Sequence, residues 1–224
     1  MFSLSQILSY YPEFSPDRAE SCLREYLQYK ILKSVFASPQ GTSLRFIGGT
    51  ALRIVYGNTR FSEDIDFDND GTLSFDDFNL LAEHVQKDLE HEGLEVRMRT
   101  IKKGAFHCHI SIPSLLYENN LSPMKTQTIL IQIDTTSQGY QYAPTSYFLN
   151  KFDVQSTILT VSPSLLLSQK IFACFTRKRT KGRDFFDIVF LLGRTQKPDY
   201  EFLQQKLGIS TPETVKKYLL EKAE

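Results

Sequence analysis

This sequence has few cysteines and no surplus of charge of either sign. Its three cysteines, Cys22, Cys108 and Cys174, are far apart and form no CxxC pair, so we expect neither a disulfide framework nor a zinc ribbon. Such cysteine usage is typical of a protein in a reducing cytoplasm. The 26 basic residues balance 26 acidic ones, so the total charge indicates no particular partner.

Long apolar segments are lacking as well. The first 14 residues contain no basic residue, and Pro12 and Glu13 interrupt them, so they do not have the pattern of a signal peptide. The longest apolar run in the distal half, Ile188 to Leu192, has five residues, whereas about 20 are needed to cross a bilayer. We therefore expect a globular protein without a membrane partner, and its 224 residues suit one large domain or a core with a small appendage.

The charges are sorted into two opposite blocks. Residues 61–86 contain eight acidic residues and no Lys or Arg, whereas residues 154–183 contain six basic residues and no Asp or Glu. Two solvated faces would explain this arrangement. It is also typical of a site that holds metal cations on one wall and polyphosphate or nucleic acid on the other.

Helical and strand patterns alternate as far as about residue 155. Apolar residues recur at every third or fourth position over 16–37 and 75–92, which predicts two helices. Strands are predicted over 44–47, 62–67, 94–101, 106–112 and 126–134. Beyond residue 160 we predict helices beginning at Pro163, Arg183, Tyr200 and Pro212. The expected fold is an α/β core in residues 1–155 and a helical part in residues 156–224 that is in contact with it.

A glycine turn follows the first predicted strand. Gly48 and Gly49 would let a ligand approach the backbone, and the amides that begin the next helix would point at an anion. Packing alone also explains two glycines in such a turn, so the turn by itself does not predict a site.

Asp64 and Asp66 alternate with Ile65 and Phe67 along a predicted strand, so we expect both carboxylates on one face. Two like charges so close repel each other and raise a pKa unless a cation compensates. Mg²⁺ is bound by one or two carboxylates together with phosphate and water oxygens. Asp134 ends another predicted strand and would supply the third carboxylate of a two-metal site. The alternative is that the pair faces solvent at an edge strand.

The same acidic stretch matches the spacing of a calcium-binding EF-hand loop. From Asp66 to Asp77, oxygen-bearing side chains occupy loop positions 1, 3, 5, 9 and 12, and a glycine occupies position 6. Two features disagree, since Asp77 stands where glutamate is usual and a strand, not a helix, is predicted to enter the loop. A calcium-binding module is therefore kept as an alternative function.

Basic and acidic residues combine in the helical part. Lys170 and Arg177 lie seven residues apart on one predicted helix, where they could bind a phosphate tail. Asp184 and Asp187 share a face of the next helix, and they could orient these cations through salt bridges or help to deprotonate a hydroxyl. Stabilisation of a helix N-terminus explains Asp184 equally well.

Together these motifs resemble the AbiEii toxin family. The matching segments are FIGGTALR at 46–53, YG at 56–57, RFSEDIDF at 60–67, QID at 132–134, KIFA at 170–173 and KGRDFFD at 181–187. Members of that family are nucleotidyltransferases with a polymerase-β-like core, a mixed sheet with flanking helices, and are the toxin halves of bacterial toxin–antitoxin and abortive-infection systems. The resemblance implies transfer of a nucleoside monophosphate from an NTP to an acceptor hydroxyl, such as a tRNA 3′ end, with release of pyrophosphate.

The resemblance also implies roles for particular residues. It assigns Gly48, Gly49 and Thr50 to the triphosphate, Arg60 to the shape of the pocket, Asp64, Asp66 and Asp134 to two Mg²⁺ ions, Lys170 to phosphate, and Asp184 and Asp187 to the last family motif. The implied partners are an NTP, an RNA acceptor and a cognate antitoxin, in the cytoplasm. A non-catalytic protein that binds nucleic acid or an antitoxin on the same fold is the remaining alternative.

Overall fold

The computed structural model describes residues 1–11, 16–177, 182–194 and 197–223, which form a mixed seven-stranded sheet with helices around it. The helices are α1 (Leu4–Leu8), α2 (Ala19–Ala37), α3 (Gly48–Ile54), α4 (Phe75–His91), α5 (Leu115–Glu118), α6 (Pro163–Thr176), α7 (Gly182–Leu192), α8 (Tyr200–Leu207) and α9 (Pro212–Ala223). The strands are β1 (Leu44–Ile47), β2 (Ile65–Asn69), β3 (Arg97–Lys103), β4 (Ala105–Pro113), β5 (Thr128–Thr136), β6 (Thr145–Lys151) and β7 (Val154–Thr160). The predicted class, an α/β core followed by a helical part, is confirmed.

The sheet has the strand order β3-β4-β5-β2-β1-β7-β6. β2 lies in its middle, parallel to β5 on one side and antiparallel to β1 on the other. In this register Asp66 stands directly beside Asp134 of β5 and Ile47 of β1. Strand order therefore brings together three chain segments that are far apart in the sequence.

Helix α2 covers one face of the sheet with the apolar stripe that its sequence predicts. Leu23, Leu27, Ile31 and Val35 recur at every fourth position, and all four are completely buried. Each such side chain contributes about 1.5–3 kcal/mol of burial free energy. This stripe anchors the sheet on the side of α2.

The C-terminal helices share a second apolar cluster with the end of β1 and with α3. Leu166 and Ile171 of α6, Leu191 of α7 and Phe202 of α8 are buried in it. Leu52 of α3 belongs to the same cluster. Helix α6 is thereby held against the part of the sheet that carries the glycine turn. None of the described helices is long and apolar enough to span a bilayer.

Two parts of the fold differ from the sequence predictions. The hairpin of β6 and β7 was not predicted, and β7 extends the sheet to Thr160, parallel to β1. The hairpin turns at Phe152, which has a positive φ of 60°, instead of at a glycine. Strand β2 begins at Ile65, later than the predicted start at Ser62, and continues through Asp68 and Asn69, both buried. Three of the six basic residues in the 154–183 block, Lys178, Arg179 and Lys181, lie outside the described residues.

Candidate active site

A cleft of about 270 Å³ lies between the sheet and helix α6. Gly48, Asp66 and Asp134 line it on the sheet side, and Lys170 and Arg177 line it on the helix side. Two of the three predicted carboxylates therefore face the two predicted cations across one cavity, as a site for a metal-bound polyphosphate requires.

Asp66 is the carboxylate at the centre of this cleft. Desolvation raises the pKa of Asp66 to about 6; the Lys170 cation opposes this rise, and the neighbouring carboxylates of Asp134 and Asp64 add to it. Among the described residues, nothing donates a hydrogen bond to Asp66 or forms an ion pair with it. A carboxylate in this situation is poised to bind a cation.

Asp134 is held in place by two neighbouring side chains. Nδ1 of His107 lies 2.6 Å from Oδ1 of Asp134, and Nε2 of Gln132 donates to the same oxygen at 2.7 Å. His107 stands opposite Asp134 in the antiparallel pairing of β4 with β5. The sequence analysis missed His107, because only the register of these two strands reveals the contact.

Asp64 lies just before β2, on the exposed border of the site. It lines a separate groove together with Arg24, Glu63 and His109. Partial desolvation and then the charges of Asp134 and Glu63 raise the pKa of Asp64. Asp64 is therefore coupled electrostatically to the carboxylates of the cleft, while its own side chain borders a different groove.

Asp187 binds the lysine of the cleft. Oδ2 of Asp187 lies 2.9 Å from Nζ of Lys170, and Nη2 of Arg60 donates to both carboxylate oxygens at 3.0 and 2.9 Å. Asn58 donates to Oδ1 at 3.2 Å. Asp187 is completely buried, so it orients Lys170 and Arg60 from behind. Of the two possibilities that the sequence left open, these contacts favour the salt bridge.

Asp184 binds the arginine at the rim of the cleft. Nη1 of Arg177 lies 2.6 and 2.7 Å from the two oxygens of Asp184. The carboxylate is buried, whereas the Arg177 side chain is 41% exposed. Asp184 thus holds the guanidinium group of Arg177, which remains accessible from the cleft.

The glycine turn is shaped around Asp66. Gly48 has a φ of +83°, and a Cβ at this position would lie 2.0 Å from Oδ2 of Asp66. A Cβ at Gly49 would lie 2.8 Å from Ser62 Oγ. Thr50 is buried, and its hydroxyl donates to the Asp64 carbonyl oxygen. Gly48 therefore borders the cleft, whereas the Thr50 hydroxyl is bonded within the fold.

The EF-hand alternative lacks the helix that must enter such a loop. Residues 65–69 form strand β2 instead. Asp68 is buried and accepts hydrogen bonds from Tyr142 and from the Gln138 amide. Asp77 caps helix α4 together with Ser74. Two carboxylates of the apparent loop, Asp68 and Asp77, are thus used by the fold itself.

Across the described ranges, no group of three or more His, Cys, Asp or Glu side chains is arranged to hold a metal ion. The neighbouring carboxylates of Asp66 and Asp134 nevertheless fit Mg²⁺, because that ion takes one or two protein carboxylates and completes its shell with phosphate and water. The raised pKa of Asp66, to which the neighbouring carboxylates contribute, supports the same assignment.

Comparisons with known proteins identify the family and the fold of this chain. The family model described as "Nucleotidyl transferase AbiEii toxin, Type IV TA system" matches residues 30–211. Among solved structures, the nucleotidyltransferase toxin MenT4 of Mycobacterium tuberculosis H37Rv is similar, with a TM-score of 0.59, 14% identity and coverage of 91% of this chain and 68% of that one. JHP933 of Helicobacter pylori has a TM-score of 0.53 and 18% identity, with coverage of 82% and 68%. No curated protein matches this chain.

Proposed function

Since this chain belongs to the AbiEii family of nucleotidyltransferase toxins of type IV toxin–antitoxin systems, we propose that it transfers a nucleoside monophosphate from an NTP to an acceptor hydroxyl in the cleft between β2, β5 and α6. The observation that carries this proposal is the pair Asp66 and Asp134 facing Lys170 and Arg177 across that cleft. In the reaction, the acceptor hydroxyl gives up its proton to solvent and its oxygen forms a bond to the α-phosphorus. The bond from the α-phosphorus to the oxygen that bridges to the β-phosphate breaks, and pyrophosphate leaves with that oxygen.

Asp66 and Asp134 would hold Mg²⁺, with Asp64 as a further ligand at the border of the site. Bound magnesium would neutralise charge on the attacking and leaving oxygens. The contacts of His107 and Gln132 fix Asp134 through one oxygen. Asp134 thus offers its second oxygen in a fixed position and needs little reorganisation when nucleotide binds.

Lys170 and Arg177 would bind the phosphates of the nucleotide. Lys170 has three N–H donors and uses one on Asp187, so others are available to the cleft. Arg60 would shape the pocket beside Gly49, and the turn of Gly48, Gly49 and Thr50 would form its floor. Asp184 and Asp187 act as positioning residues, because both are buried behind the cations that they orient.

The acceptor we propose is an RNA hydroxyl, such as a tRNA 3′ end, and the protein partner is a cognate antitoxin in the cytoplasm. The groove beside Asp64, which also contains Arg24 and His109, supports an acceptor that approaches the carboxylates from the side opposite the nucleotide. The resemblance to AbiEii toxins supports the antitoxin.

Incubation with each α-³²P-labelled NTP, total cellular RNA and Mg²⁺ tests this function. We expect label on RNA, loss of that label with Asp66→Asn, and its retention with the control Asp70→Asn, which removes a carboxylate from the same acidic stretch outside the cleft. Undiminished transfer by Asp66→Asn would overturn the proposal. Strong RNA binding without turnover of any NTP would favour the non-catalytic alternative.

A further inference from the structure

The side-chain amide of Gln169 is buried without a hydrogen bond beside the cleft. Gln169 is 8% exposed, precedes Lys170 on α6 and belongs to the lining of the cleft. Within the described part of the chain, neither Oε1 nor Nε2 has a hydrogen-bond partner. Leaving a buried polar group unpaired costs about 1–3 kcal/mol. Such a cost in a substrate cleft points to a partner that arrives with the substrate.

The cleft that Gln169 lines also extends beyond the residues assigned to metal and phosphate. The cleft follows β2 and β5 away from Asp66, and two residues further along, about 7 Å away, it is lined by Thr136 and then Gln138. Phe172 lines it too, three residues after Gln169 and therefore on the adjacent turn of α6.

This second end of the cleft has a fixed wall. The ring of Phe172 packs edge-on against Phe202 of α8, with ring centroids 6.1 Å apart. Tyr140 packs against the same ring at 5.3 Å and accordingly holds the segment that carries Gln138. An aromatic ring and a buried amide thus line the same cleft as the phosphate-binding cations.

We propose that Gln169 recognises the nucleobase of the bound NTP, an assignment that rests on the proposed nucleotidyltransferase function. With the phosphates at Lys170, a small rotation of the Gln169 side chain turns its amide toward the cleft. Oε1 then accepts a hydrogen bond from a donor on the base edge, and Nε2 donates one to the adjacent acceptor. Phe172 provides apolar surface for the base. Binding of the correct base satisfies both amide groups, whereas binding of a wrong base leaves at least one of them unpaired.

Gln169→Met is the decisive variant, because methionine keeps the length of the side chain and removes both hydrogen-bonding groups. The affinities of the full chain for ATP, CTP, GTP and UTP, and for inorganic tripolyphosphate, are measured with Mg²⁺ by calorimetry. We expect the wild type to prefer one NTP and the variant to bind that NTP about ten- to a hundredfold more weakly, with the preference among the four lost. Tripolyphosphate affinity should stay within about twofold, since no phosphate contact changes.

Two comparisons complete the test. The control Gln155→Met removes an exposed glutamine on β7 and should leave all five affinities unchanged. The melting temperature of Gln169→Met should equal or exceed that of the wild type, since two unpaired groups are removed from the interior. A clear loss of thermal stability would show that the amide is paired within the fold, and it would overturn the assignment.

The outcomes separate this assignment from the proposed function. An unchanged base preference in Gln169→Met, or a wild type that binds all four NTPs equally, overturns the role of Gln169 while leaving nucleotidyl transfer intact. The matching dNTPs are titrated as well: if Gln169→Met no longer distinguishes NTP from dNTP but keeps the base preference, the amide is assigned to the ribose and base recognition is overturned. A wild type that binds no NTP overturns the proposed function and this assignment together.

Discussion

Nζ of Lys170 lies 2.9 Å from Oδ2 of Asp187, a carboxylate that is completely buried. A buried charge is tolerated only when it is paired. The carboxylate of Asp187 on α7 therefore holds the ammonium group of Lys170 on α6 in place. Arg60, in the segment that precedes β2, forms a second ion pair with the same carboxylate. Helix α6, helix α7 and the segment before β2 therefore meet at one buried carboxylate that the substrate cannot reach.

Replacement of this carboxylate should destabilise the fold. We expect Asp187→Ala to lower the free energy of unfolding by about 3–5 kcal/mol, because it leaves two partly buried cations without their partner. Urea unfolding measures the change. Glu221→Gln is the control, since Glu221 forms an exposed pair with Lys217 at 4.0 Å and its loss should cost at most about 0.5 kcal/mol. Equal effects of the two substitutions would contradict a structural role for Asp187.

Asp66→Asn should make the protein inactive and more stable at neutral pH. The pKa of Asp66 is raised to about 6 in the folded protein, so the folded state binds the proton more tightly than the unfolded chain does. Stability is therefore lost as the pH rises from about 4 to 6, and the loss is complete above pH 6. The substitution removes this cost, which is at most about 3 kcal/mol.

Urea unfolding of the wild type and Asp66→Asn at pH 4.5 and pH 7.5, without divalent ions, checks this expectation. The gain in stability should be clearly larger at pH 7.5. A gain of the same size at both values would mean that the ionisation of Asp66 is not the cause.

Gly48→Ala should damage the site more than backbone strain alone can explain. Gly93, at the end of α4, has a similar positive φ of +88°, but a Cβ there would meet nothing within 4 Å. Gly93→Ala therefore measures the conformational cost, about 1–2 kcal/mol. At Gly48 the new methyl group would also collide with the Asp66 carboxylate, so we expect a larger loss of stability and the loss of Mg²⁺-dependent NTP binding. For both variants, calorimetry measures NTP binding and urea unfolding measures the free energy of unfolding. Similar losses in the two variants would refute the close approach of Asp66 to Gly48.

Calcium should not bind the stretch from Asp66 to Asp77. Asp68 and Asp77 are already engaged by Tyr142 and by the start of α4, and no helix enters the stretch. Titration with Ca²⁺ in the absence of nucleotide should give no heat in the micromolar range. Saturable binding that is abolished by Asp70→Asn would revive the calcium-binding alternative.

The regular spacing of apolar residues was enough to predict the helices that pack one face against the core. The fourfold spacing of Leu23, Leu27, Ile31 and Val35 predicted α2, and the structure buries all four residues. Strand β7 was missed because a polar residue, Thr160, occupies one of its buried positions and donates its hydroxyl to the Phe46 carbonyl. Its hairpin was missed because Phe152, and not a glycine, makes the turn.

The sequence alone determined which residues carry charge and which elements carry them, because both follow from residue type and from spacing within one element. It thereby predicted a cleft with acidic residues on one wall and basic residues on the other. Only the tertiary structure decided that Asp134 stands beside Asp66, that Asp64 borders another groove and that Asp187 holds Lys170. These relationships depend on strand order, register and helix packing, which are set by contacts between distant segments and leave no regular spacing in the chain.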